Sequence, residues 1–292
     1  MASLLQVRAF CLLLLVYIPD FVISRNLPND SGEMVLVTGA TGRTGALVYK
    51  ELKKRGTVGV RALVRNAEKA RALLGCGECG EDEGVFVGDV TKPGTLTAAM
   101  EGVTRIVILS ASVPLKAENG TYYFPPGGSP KEVDYIGSIN QVVAATSAGV
   151  KQVLLVSSMG TTEPDSFLDK LAGGHSLFFK LNAEAVVMSS NIPFTVVKPS
   201  GLLDEGIPAG DRELVVGHGD HFLEKQLSSI PRADVANVIV HAIEMPSVST
   251  NLRFDLSSNP AKPATGDFKQ LFNDARDLSG AGMSSNSEVA VE

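Results

Sequence analysis

The stretch HSLFFK, from His175 to Lys180, places a serine and a lysine four residues apart. A lysine four residues after a tyrosine is the proton-handling pair of many nicotinamide-dependent reductases, and Ser176 occupies the position of that tyrosine. The tyrosine transfers a proton to a carbonyl oxygen, which is typically worth ~10²–10⁴-fold in rate. A serine hydroxyl is a poor acid, so the sequence argues against reduction of simple ketones with Ser176 as the proton donor.

Other hydride acceptors depend less on a positioned acid. In flavins, quinones and conjugated tetrapyrroles the negative charge delocalises after hydride transfer, and solvent can supply the proton. Lys180 is the first candidate for a catalytic residue, followed by Ser157 and Ser158, which end the apolar run KQVLLVSS. Tyr49 and Lys53 form the one Y-x-x-x-K of the chain, and we expect that match to be accidental because it lies just after a glycine loop.

That glycine loop belongs to VLVTGATGRTGALV, which spaces Gly39, Gly42 and Gly45 as G-x-x-G-x-x-G. It follows an apolar strand pattern and opens a helix, the context in which such glycines are informative. Glycines allow a tight turn and close backbone approach, and the helix N-terminus offers unpaired N–H groups to a pyrophosphate. The sequence therefore predicts a dinucleotide site at this loop.

The end of the second strand selects between the two nicotinamide dinucleotides. NAD-binding proteins often place an acid about twenty residues after the loop, where it accepts hydrogen bonds from the adenosine ribose. Here ALVRN places Arg65 at that distance, and Arg43 lies inside the loop. Guanidinium groups pair bidentately with phosphate oxygens. We therefore predict NADP(H) as the cofactor, with both arginines on its 2′-phosphate.

A parallel sheet is needed to bring these residues together. Short Val-, Ile- and Leu-rich runs alternate with helical patterns from MVLVTGA to LRFDLSS. Continuous apolar strands separated by helices predict a parallel sheet covered on both faces, the doubly wound α/β class. Ligands of this architecture bind at the carboxyl ends of the strands. Asp89, in GVFVGDV, is therefore expected beside the adenine, and Ser110, in TRIVILSA, under the cofactor.

The composition divides the chain into four segments. AFCLLLLVYI is too short to span a bilayer and fits a signal peptide cleaved after Ser24, so residues 1–24 are predicted as a targeting segment for the secretory route. The alternatives are a plastid-directed leader, or a misassigned start and a cytoplasmic protein. Residues 25–32 are a polar linker. Residues 33–278 form one Rossmann domain with a small C-terminal substrate-side region, and residues 279–292 are a disordered tail.

The net charge and the cysteine content limit the kinds of molecule and metal that the protein is expected to bind. The 292-residue chain has a net charge of -6, which gives no electrostatic footprint for nucleic acid. We expect a small-molecule substrate or acceptor, and membrane contact only through the N-terminal segment. Cys76 and Cys79, in CGEC, can be a redox couple, half a zinc site or a small disulfide. The sequence lacks a second such pair, so we expect two loop thiols without a special role and no metal site.

Several segments, in order, resemble one protein family. They are TGATGRTG, VDYIGSINQVVAATSAGVKQVLLVSSMG, KLNAEAVVMSSNIPFTVVKPSGLLD, IPRADVANVIVHAI and FDLSSNPAKPATGDFKQLF. The chain is similar over residues 34–275 to atypical short-chain dehydrogenase/reductases, the group of NmrA-like proteins and biliverdin reductase B. Within that group it most resembles the plant NAD(P)-binding Rossmann-fold proteins. VVKPS departs from the relatives, which often carry arginine before the proline.

The resemblance implies a role for each candidate residue. Lys180 would reach the nicotinamide ribose, while Arg232 and Asp234, in RADVA, would have a packing role. The phosphates would be wrapped by Gly39, Thr41, Gly42, Arg43, Thr44 and Gly45. The adenosine half and the ribose side would be contacted by Arg65, Asp89, Val90, Ser110 and Ala111. Ser157, Ser158 and Met159 would lie beside the nicotinamide. Its carboxamide would lie near the backbone of Lys198, Pro199, Ser200 and Gly201.

The sequence thus predicts an NADP(H)-binding oxidoreductase that reduces a small planar acceptor such as a flavin or quinone. The alternative is a regulatory protein that binds NADP(H) without chemistry and senses the NADPH/NADP+ ratio. Two long loops beside the cofactor are expected to wall the substrate. Their aromatic residues are candidates for a pocket around a planar acceptor, with ordinary packing as the alternative: Tyr122, Tyr123, Phe124, Phe178 and Phe179.

Overall fold

The computed structural model describes residues 32–163, 166–204, 207–223 and 229–284. The predicted targeting segment, the linker as far as residue 31 and the last residues from 285 on lie outside the described residues. None of the helices in the described part of the chain is long and apolar enough to cross a membrane.

The elements alternate along the chain as the sequence predicts. The strands are β1 (Met34–Thr38), β2 (Gly59–Val64), β3 (Val85–Val87), β4 (Arg105–Ile108), β5 (Leu115–Lys116), β6 (Tyr122–Tyr123), β7 (Gln152–Val156), β8 (Phe194–Pro199), β9 (Gly201–Leu203), β10 (Glu213–Gly217), β11 (Ser229–Pro231) and β12 (Leu252–Asn259). The α-helices are α1 (Arg43–Arg55), α2 (Ala67–Leu74), α3 (Thr97–Met100), α4 (Gly137–Ser147), α5 (Phe167–Lys170), α6 (Ser176–Met188), α7 (Arg232–Glu244), α8 (Pro246–Ser249) and α9 (Phe268–Ser284).

The main sheet has eight strands in the order β10-β12-β8-β7-β4-β1-β2-β3. Its strands pair in parallel, except that β10 runs antiparallel to β12. The order proceeds outward in both directions from β1, which lies between β2 and β4. This is the doubly wound Rossmann architecture, so the predicted fold class is confirmed. Ligands of such sheets bind at the point where the strand order reverses.

The sheet is covered on both faces because its central strands are apolar along their length. In β1, Val35 belongs to one hydrophobic core and its neighbour Leu36 to the other, as alternating side chains require. Helices α1, α7 and α9 close the first core with Leu52, Ile239 and Phe272. Helices α3, α4 and α6 close the second core. On the substrate side, β9 pairs with β11 in a small sheet beside the end of β8.

Two features of the described chain differ from the sequence-based expectations. Helix α9 continues to Ser284, into the segment predicted as a disordered tail from residue 279 on. Its two glycines weaken a helix but do not end one that earlier turns already hold in place. In addition, Cys76 and Cys79 form a disulfide with a Cα–Cα distance of 5.1 Å, so the expectation of two free loop thiols is wrong.

A buried ionic triad links the end of β8 to the middle of β12 and to the loop after β10. The side chain of Lys198 is fully buried, and its Nζ lies 2.7 Å from Asp220 Oδ1 and 3.1 Å from Asp255 Oδ1. Asp220 Oδ2 accepts a hydrogen bond of 3.0 Å from the backbone N–H of Thr162, which follows β7. The Asp220 N–H donates in turn to Asp255 Oδ2 at 2.6 Å. The lysine that departs from the family pattern is therefore a structural anchor.

The two carboxylates do not share the lysine equally. Burial alone would raise the pKa of Asp220, but hydrogen bonds from Lys198 and Thr162 outweigh it and lower the pKa to about 2. For Asp255 burial prevails, and its pKa is raised above the ordinary value despite the nearby ammonium group. Asp220 is therefore the main countercharge of Lys198.

We expect Asp220→Asn to destabilise the protein by about 3–5 kcal/mol at neutral pH, because it leaves a buried ammonium group without its main countercharge. Asp255→Asn is the matched variant, and it should cost clearly less because burial already disfavours the ionised form of Asp255. Urea unfolding measures both free energies. Equal losses in the two variants would contradict the unequal sharing.

The pH dependence checks the same assignment. The folded-state pKa of Asp220, about 2, lies below its ordinary value of 3.8. Such a group contributes stability that is complete above its unfolded pKa and is lost as the pH falls through the folded pKa. The wild type should therefore lose free energy of unfolding between about pH 4 and about pH 2, and Asp220→Asn should lose less over that range.

Candidate cofactor and active site

A cavity of about 730 Å³ lies at the carboxyl ends of the central strands. Its volume falls in the usual range of cofactor sites. The residues predicted around the cofactor line it except Lys198, which is fully buried. Those in the cavity wall are Gly39, Thr41, Gly42, Arg43, Thr44, Gly45, Arg65, Asp89, Val90, Ser110, Ala111, Lys180, Pro199, Ser200 and Gly201. Ser157 and Ser158 line the same cavity. One surface therefore gathers residues from across most of the described chain.

Neighbouring backbone atoms lie so close to Gly39 and Gly45 in the glycine loop that a side chain on either would not fit. Gly39 has a φ of 66°, and a Cβ on it would lie 2.7 Å from the backbone of Leu109. A Cβ on Gly45 would lie 2.2 Å from the carbonyl oxygen of Gly39. Helix α1 begins after Gly42 with neither a side-chain cap nor an acidic residue in its first turn. Its first N–H groups are thus left for an anion, as a pyrophosphate requires.

At the outer side of the cavity, Asp204 bridges two arginines. Arg43 Nη1 lies 2.6 Å and 2.7 Å from the two Asp204 oxygens, and Arg232 Nε donates to Asp204 Oδ1 at 2.9 Å. Arg232 also donates to Thr44 Oγ1 at 3.3 Å. The hydrogen bond from Arg232, followed by the charges of both arginines, lowers the pKa of Asp204. The Asp204 carboxylate is therefore paired with both of the guanidinium groups beside the phosphate loop.

This arrangement changes two assignments. Arg232 lines the cavity, so the packing role expected for it is incomplete, whereas Asp234 is buried and accepts a hydrogen bond from Gly210 N–H at 2.8 Å. Arg43 pairs with Asp204, so a 2′-phosphate would have to compete with that carboxylate for its guanidinium group. Neither contact could be read from the sequence, because the partners lie far apart in the chain.

The end of the cavity beside α2 carries two cations without acidic partners in the described structure. Arg65 follows β2 and Lys69 lies one turn later, in the first turn of α2. Both are exposed, and both line the cavity. The Asn66 side chain caps α2 by accepting from the Lys69 N–H at 2.8 Å. The sequence analysis missed Lys69, although its spacing of four residues from Arg65 on a helix start was a usable signal.

Lys180 is fixed at the other end of the cavity. Its Nζ lies 2.7 Å from Asp134 Oδ1, and the other oxygen of that carboxylate accepts a hydrogen bond of 3.1 Å from Ser112 N–H. Asp134 is buried in a π-helical turn, Lys131–Ile136, that leads into α4. The sequence analysis missed Asp134, which lies far from Lys180 along the chain.

The two serines at the end of β7 direct their hydroxyl hydrogens at protein acceptors. Ser157 Oγ donates to the buried carboxylate of Glu184, whose Oε2 pairs with Arg253 Nε and Nη2 at 2.7 Å each. Ser158 Oγ donates to the carbonyl oxygen of Met159 at 2.8 Å. Both serines therefore present lone pairs to the cavity, and proton donation by either would require breaking a hydrogen bond first.

The structure does not bring Ser176 to the cavity. Ser176 is the first residue of α6, and it is absent from the residues that line the cavity within the described chain. The start of α6 is organised by the buried Asp169, which accepts from Phe178 N–H and lies 2.9 Å from His175 Nδ1. Desolvation opposes ionisation of Asp169, but its hydrogen bonds, led by that from Phe178, lower its pKa.

The Y-x-x-x-K match of α1 lies outside the cavity, in agreement with the expectation that it is accidental. Tyr49 is buried, and the Nζ of Lys53 lies 5.8 Å from the centroid of its ring. Burial raises the pKa of Tyr49, and the nearby carboxylate of Glu83 adds to this effect. Neither Tyr49 nor Lys53 lines the cofactor cavity.

The expected aromatic pocket is not formed, and the alternative of ordinary packing applies to Phe179 but not to the exposed Tyr122, Tyr123 and Phe178. None of its five candidate residues lines the cavity that the described residues enclose. Tyr122 and Tyr123 lie exposed on the β5–β6 hairpin, and Phe179 stacks on Tyr135 with 6.2 Å between ring centroids. The apolar wall of the cavity is made instead by aliphatic side chains and a methionine from the surrounding segments: Val113, Met159, Leu168, Leu202 and Leu223.

Comparison with known proteins identifies the family of the chain. A family model described as NAD(P)H-binding matches residues 39–246. The chain belongs to this family. It is 41% identical over 249 residues to an uncharacterised chloroplastic protein of Arabidopsis thaliana, covering 82% of this chain and 74% of the relative. It is 37% identical over 267 residues to the sanguinarine reductase of Eschscholzia californica, covering 82% of this chain and 94% of the relative.

Solved structures support the fold alone. A putative NAD-dependent epimerase/dehydratase from Bacillus halodurans superposes with a TM-score of 0.62 at 23% identity, covering 83% of this chain and 99% of that chain. The sequence-based resemblance to NAD(P)-binding Rossmann-fold proteins is confirmed, and the family is one of NAD(P)-binding oxidoreductases.

We expect Asp204→Asn to raise cofactor affinity by at most about fivefold, because it frees Arg43 and Arg232 and removes a negative charge beside the phosphates. Glu101→Gln is the matched control, since Glu101 is exposed and does not line the cavity. Titration calorimetry with NADPH measures both variants. Weaker binding in Asp204→Asn would mean that the carboxylate organises the site instead of competing for it.

Proposed function

We propose that the protein is an NADP(H)-dependent reductase of small, planar, conjugated acceptors. The observation that carries this proposal is the layout of one cavity. It runs from Arg65 and Lys69, two cations without acidic partners among the described residues, past an uncapped helix start at the glycine loop, to the fixed ammonium group of Lys180. The order matches the 2′-phosphate, the pyrophosphate and the nicotinamide ribose of one extended dinucleotide.

The residues present fit this cofactor. Gly39 and Gly45 leave backbone space that a Cβ would fill, so a phosphate can approach the N–H groups of the loop. Arg65 and Lys69 suit a phosphate better than a ribose hydroxyl, because they offer only hydrogen-bond donors and two positive charges. Bound NADPH would supply a hydride at the end of the cavity that Lys180 and the two serines line.

Reduction is supported as the reaction type by the relative named a sanguinarine reductase, which this chain matches over nearly the whole length of that protein. The apolar wall supports an acceptor with an apolar face, since apolar contact is the main interaction that such side chains offer. Ser157 and Ser158 add oxygen lone pairs that can accept hydrogen bonds from a polar edge of the acceptor.

Because the usual catalytic tyrosine is missing, another group must supply the proton that the reduced acceptor takes up. A second cavity of about 10 Å³, close to the size of one water molecule, is lined by polar groups that include Ser110, Asp134, Ser138, Ser157 and Lys180. The ammonium group of Lys180 has three N–H donors, and it donates one hydrogen bond to Asp134. The ammonium group can therefore stabilise negative charge on the reduced acceptor and pass a proton that solvent replaces.

We expect replacement of both Arg65 and Lys69 by alanine to weaken NADPH binding at least ~10-fold, because hydrogen bonds to charged groups contribute about 1.5–3 kcal/mol each. NADH binding should hardly change, since it lacks the 2′-phosphate. Lys50→Ala, an exposed cation of α1 outside the cavity, is the control. Calorimetric titrations that show equal losses for both cofactors would remove Arg65 and Lys69 from this role.

The turnover experiment concerns Lys180 and Ser176. Lys180→Met should reduce NADPH oxidation with a flavin or quinone acceptor by about 10²-fold or more, because it removes the positive charge and the proton path together. Ser176→Ala is the matched change one turn earlier on α6, and its rate should stay close to that of the wild type. A comparable loss in Ser176→Ala would make Ser176 the proton donor and would contradict the proposed proton path.

The second candidate function is a protein that senses the NADPH/NADP+ ratio without turnover. It is favoured by one observation, that both serine hydroxyls beside the nicotinamide end donate to protein acceptors. NADPH binding without oxidation across a broad panel of flavins, quinones and tetrapyrroles would support this function over the reductase.

We also propose that the N-terminal segment directs the protein to a plastid, because the Arabidopsis relative is named as chloroplastic. Fusion of residues 1–32 to a fluorescent protein in leaf cells tests this localisation. Plastid fluorescence is expected. Fluorescence in the secretory pathway would restore the signal-peptide interpretation, and a cytoplasmic signal would favour the misassigned start.

A further inference from the structure

The Cys76–Cys79 disulfide lies outside the cofactor cavity, in the loop between α2 and the short helical turn Glu81–Glu83. The two cysteines differ in accessibility. Cys79 is buried against the first hydrophobic core, at 2% exposure, while Cys76 is partly exposed. An incoming thiol can therefore reach Cys76 while Cys79 stays inside the protein.

A structural staple is a poor explanation for this bond. The cysteines are only three residues apart, and the entropic stabilisation by a disulfide grows with the length of the loop that it closes. In reducing compartments disulfides are rare, and those present are usually transient or redox-sensing. Because this disulfide closes such a short loop, its reduction removes little of the folding stability of the protein.

The loop nevertheless holds the two sulfur atoms in place. The carboxylate of Glu83 accepts hydrogen bonds from Gly77 N–H at 3.1 Å and from Cys79 N–H at 2.9 Å. Arg71, in the last turn of α2, donates to the carbonyl oxygen of Glu78 at 3.1 Å. Cys79 has a φ of 55°, a left-handed conformation that cysteine rarely adopts. The closed loop is thus preorganised, and reduction allows Cys79 to leave this conformation.

We propose that Cys76 and Cys79 form a thiol–disulfide exchange site that a dithiol protein reduces. The thiolate of the reductant attacks Cys76 Sγ, the Cys76–Cys79 bond breaks, and Cys79 leaves as a thiolate that takes a proton from solvent. The second thiol of the reductant then attacks the mixed disulfide and releases Cys76. Two electrons and two protons reach the cysteine pair, and the reductant departs as a disulfide.

The redox state of the pair is transmitted through α2 to the adenosine end of the cavity. The loop fastens the C-terminal end of α2, which carries Lys69 in its first turn and buries Ala70 and Leu74 against the core. Only two helical turns separate the two ends of α2. Reduction frees the loop, lets this short helix shift and lowers NADPH affinity. This second step rests on the proposed NADP(H) binding, whereas the exchange reaction does not.

The exchange site is tested on the full chain carrying Cys11→Ser, so that the loop cysteines alone are counted. Thioredoxin, kept reduced, should open the disulfide in the folded protein, and mass spectrometry should then find two maleimide adducts without denaturant. In the single variants, the Cys76 thiol of Cys79→Ser should react with a disulfide reagent at least ~10-fold faster than the Cys79 thiol of Cys76→Ser, because of its access. Reduction only after unfolding would overturn the exchange site, and equal reactivity would overturn the attack at Cys76.

A metal site is the competing outcome. The sulfur atoms of Cys76 and Cys79 and a carboxylate oxygen of Glu83 all lie within 4.8 Å of one another, close enough to hold one ion after reduction. Purified protein that contains one zinc ion and two free thiols, and that does not form the disulfide when air-oxidised, would replace the exchange site with a metal site.

Transmission to the cofactor is measured by titration with NADPH in both redox states. The reduced protein should bind NADPH about fivefold more weakly, at the lower end of the usual coupling between sites. The Cys76→Ser/Cys79→Ser variant should match the reduced protein and ignore the reductant. Equal NADPH affinity in both states would overturn the transmission. Failure to bind NADPH in either state would refute the proposed function and leave the maleimide result to decide the exchange site.

Discussion

The ionic triad around Lys198 positions two walls of the cofactor cavity. Lys198 immediately precedes Pro199, Ser200 and Gly201, which line the cavity from one side. Through Asp220 the same ammonium group holds Thr162, and with it the segment that leaves β7 on the other side. A buried lysine is expensive unless it is paired, so the triad ties both walls to one position.

The phosphate loop imposes a second, purely steric constraint. Gly39 and Gly45 contact backbone so closely that no side chain fits, which leaves the start of α1 open. The ion pairs of Asp204 with the exposed Arg43 and the largely buried Arg232 lie beside this opening. The site is thus rigid where the chain meets the phosphates and adjustable where charged side chains meet solvent.

At the end of the cavity that Lys180 lines, the existing hydrogen bonds determine which side chains can donate a proton to a bound molecule. Ser157 donates to Glu184, which Arg253 holds in place, so the serine at the end of β7 is an acceptor towards the cavity. Lys180 is tied to Asp134 by one of its three donors. These hydrogen bonds, the ammonium group of Lys180 and the apolar wall support the proposed hydride transfer to an acceptor that spreads its own charge, since reduction of a simple carbonyl needs a strong local acid.

The sequence by itself determined the fold class and most of the residues that line the cofactor cavity. Apolar strand runs and glycine spacing are local patterns, and in a parallel sheet the ends of such runs meet at one edge by construction. The tertiary structure decided the partners. Asp204 reaches Arg43, Asp134 reaches Lys180 and Glu184 reaches Ser157 across long stretches of chain. The expected aromatic pocket failed for the same reason, since the hairpin that carries two of its tyrosines turns them outward to solvent. Which side chains meet depends on how loops pack over the sheet, and no local pattern encodes that.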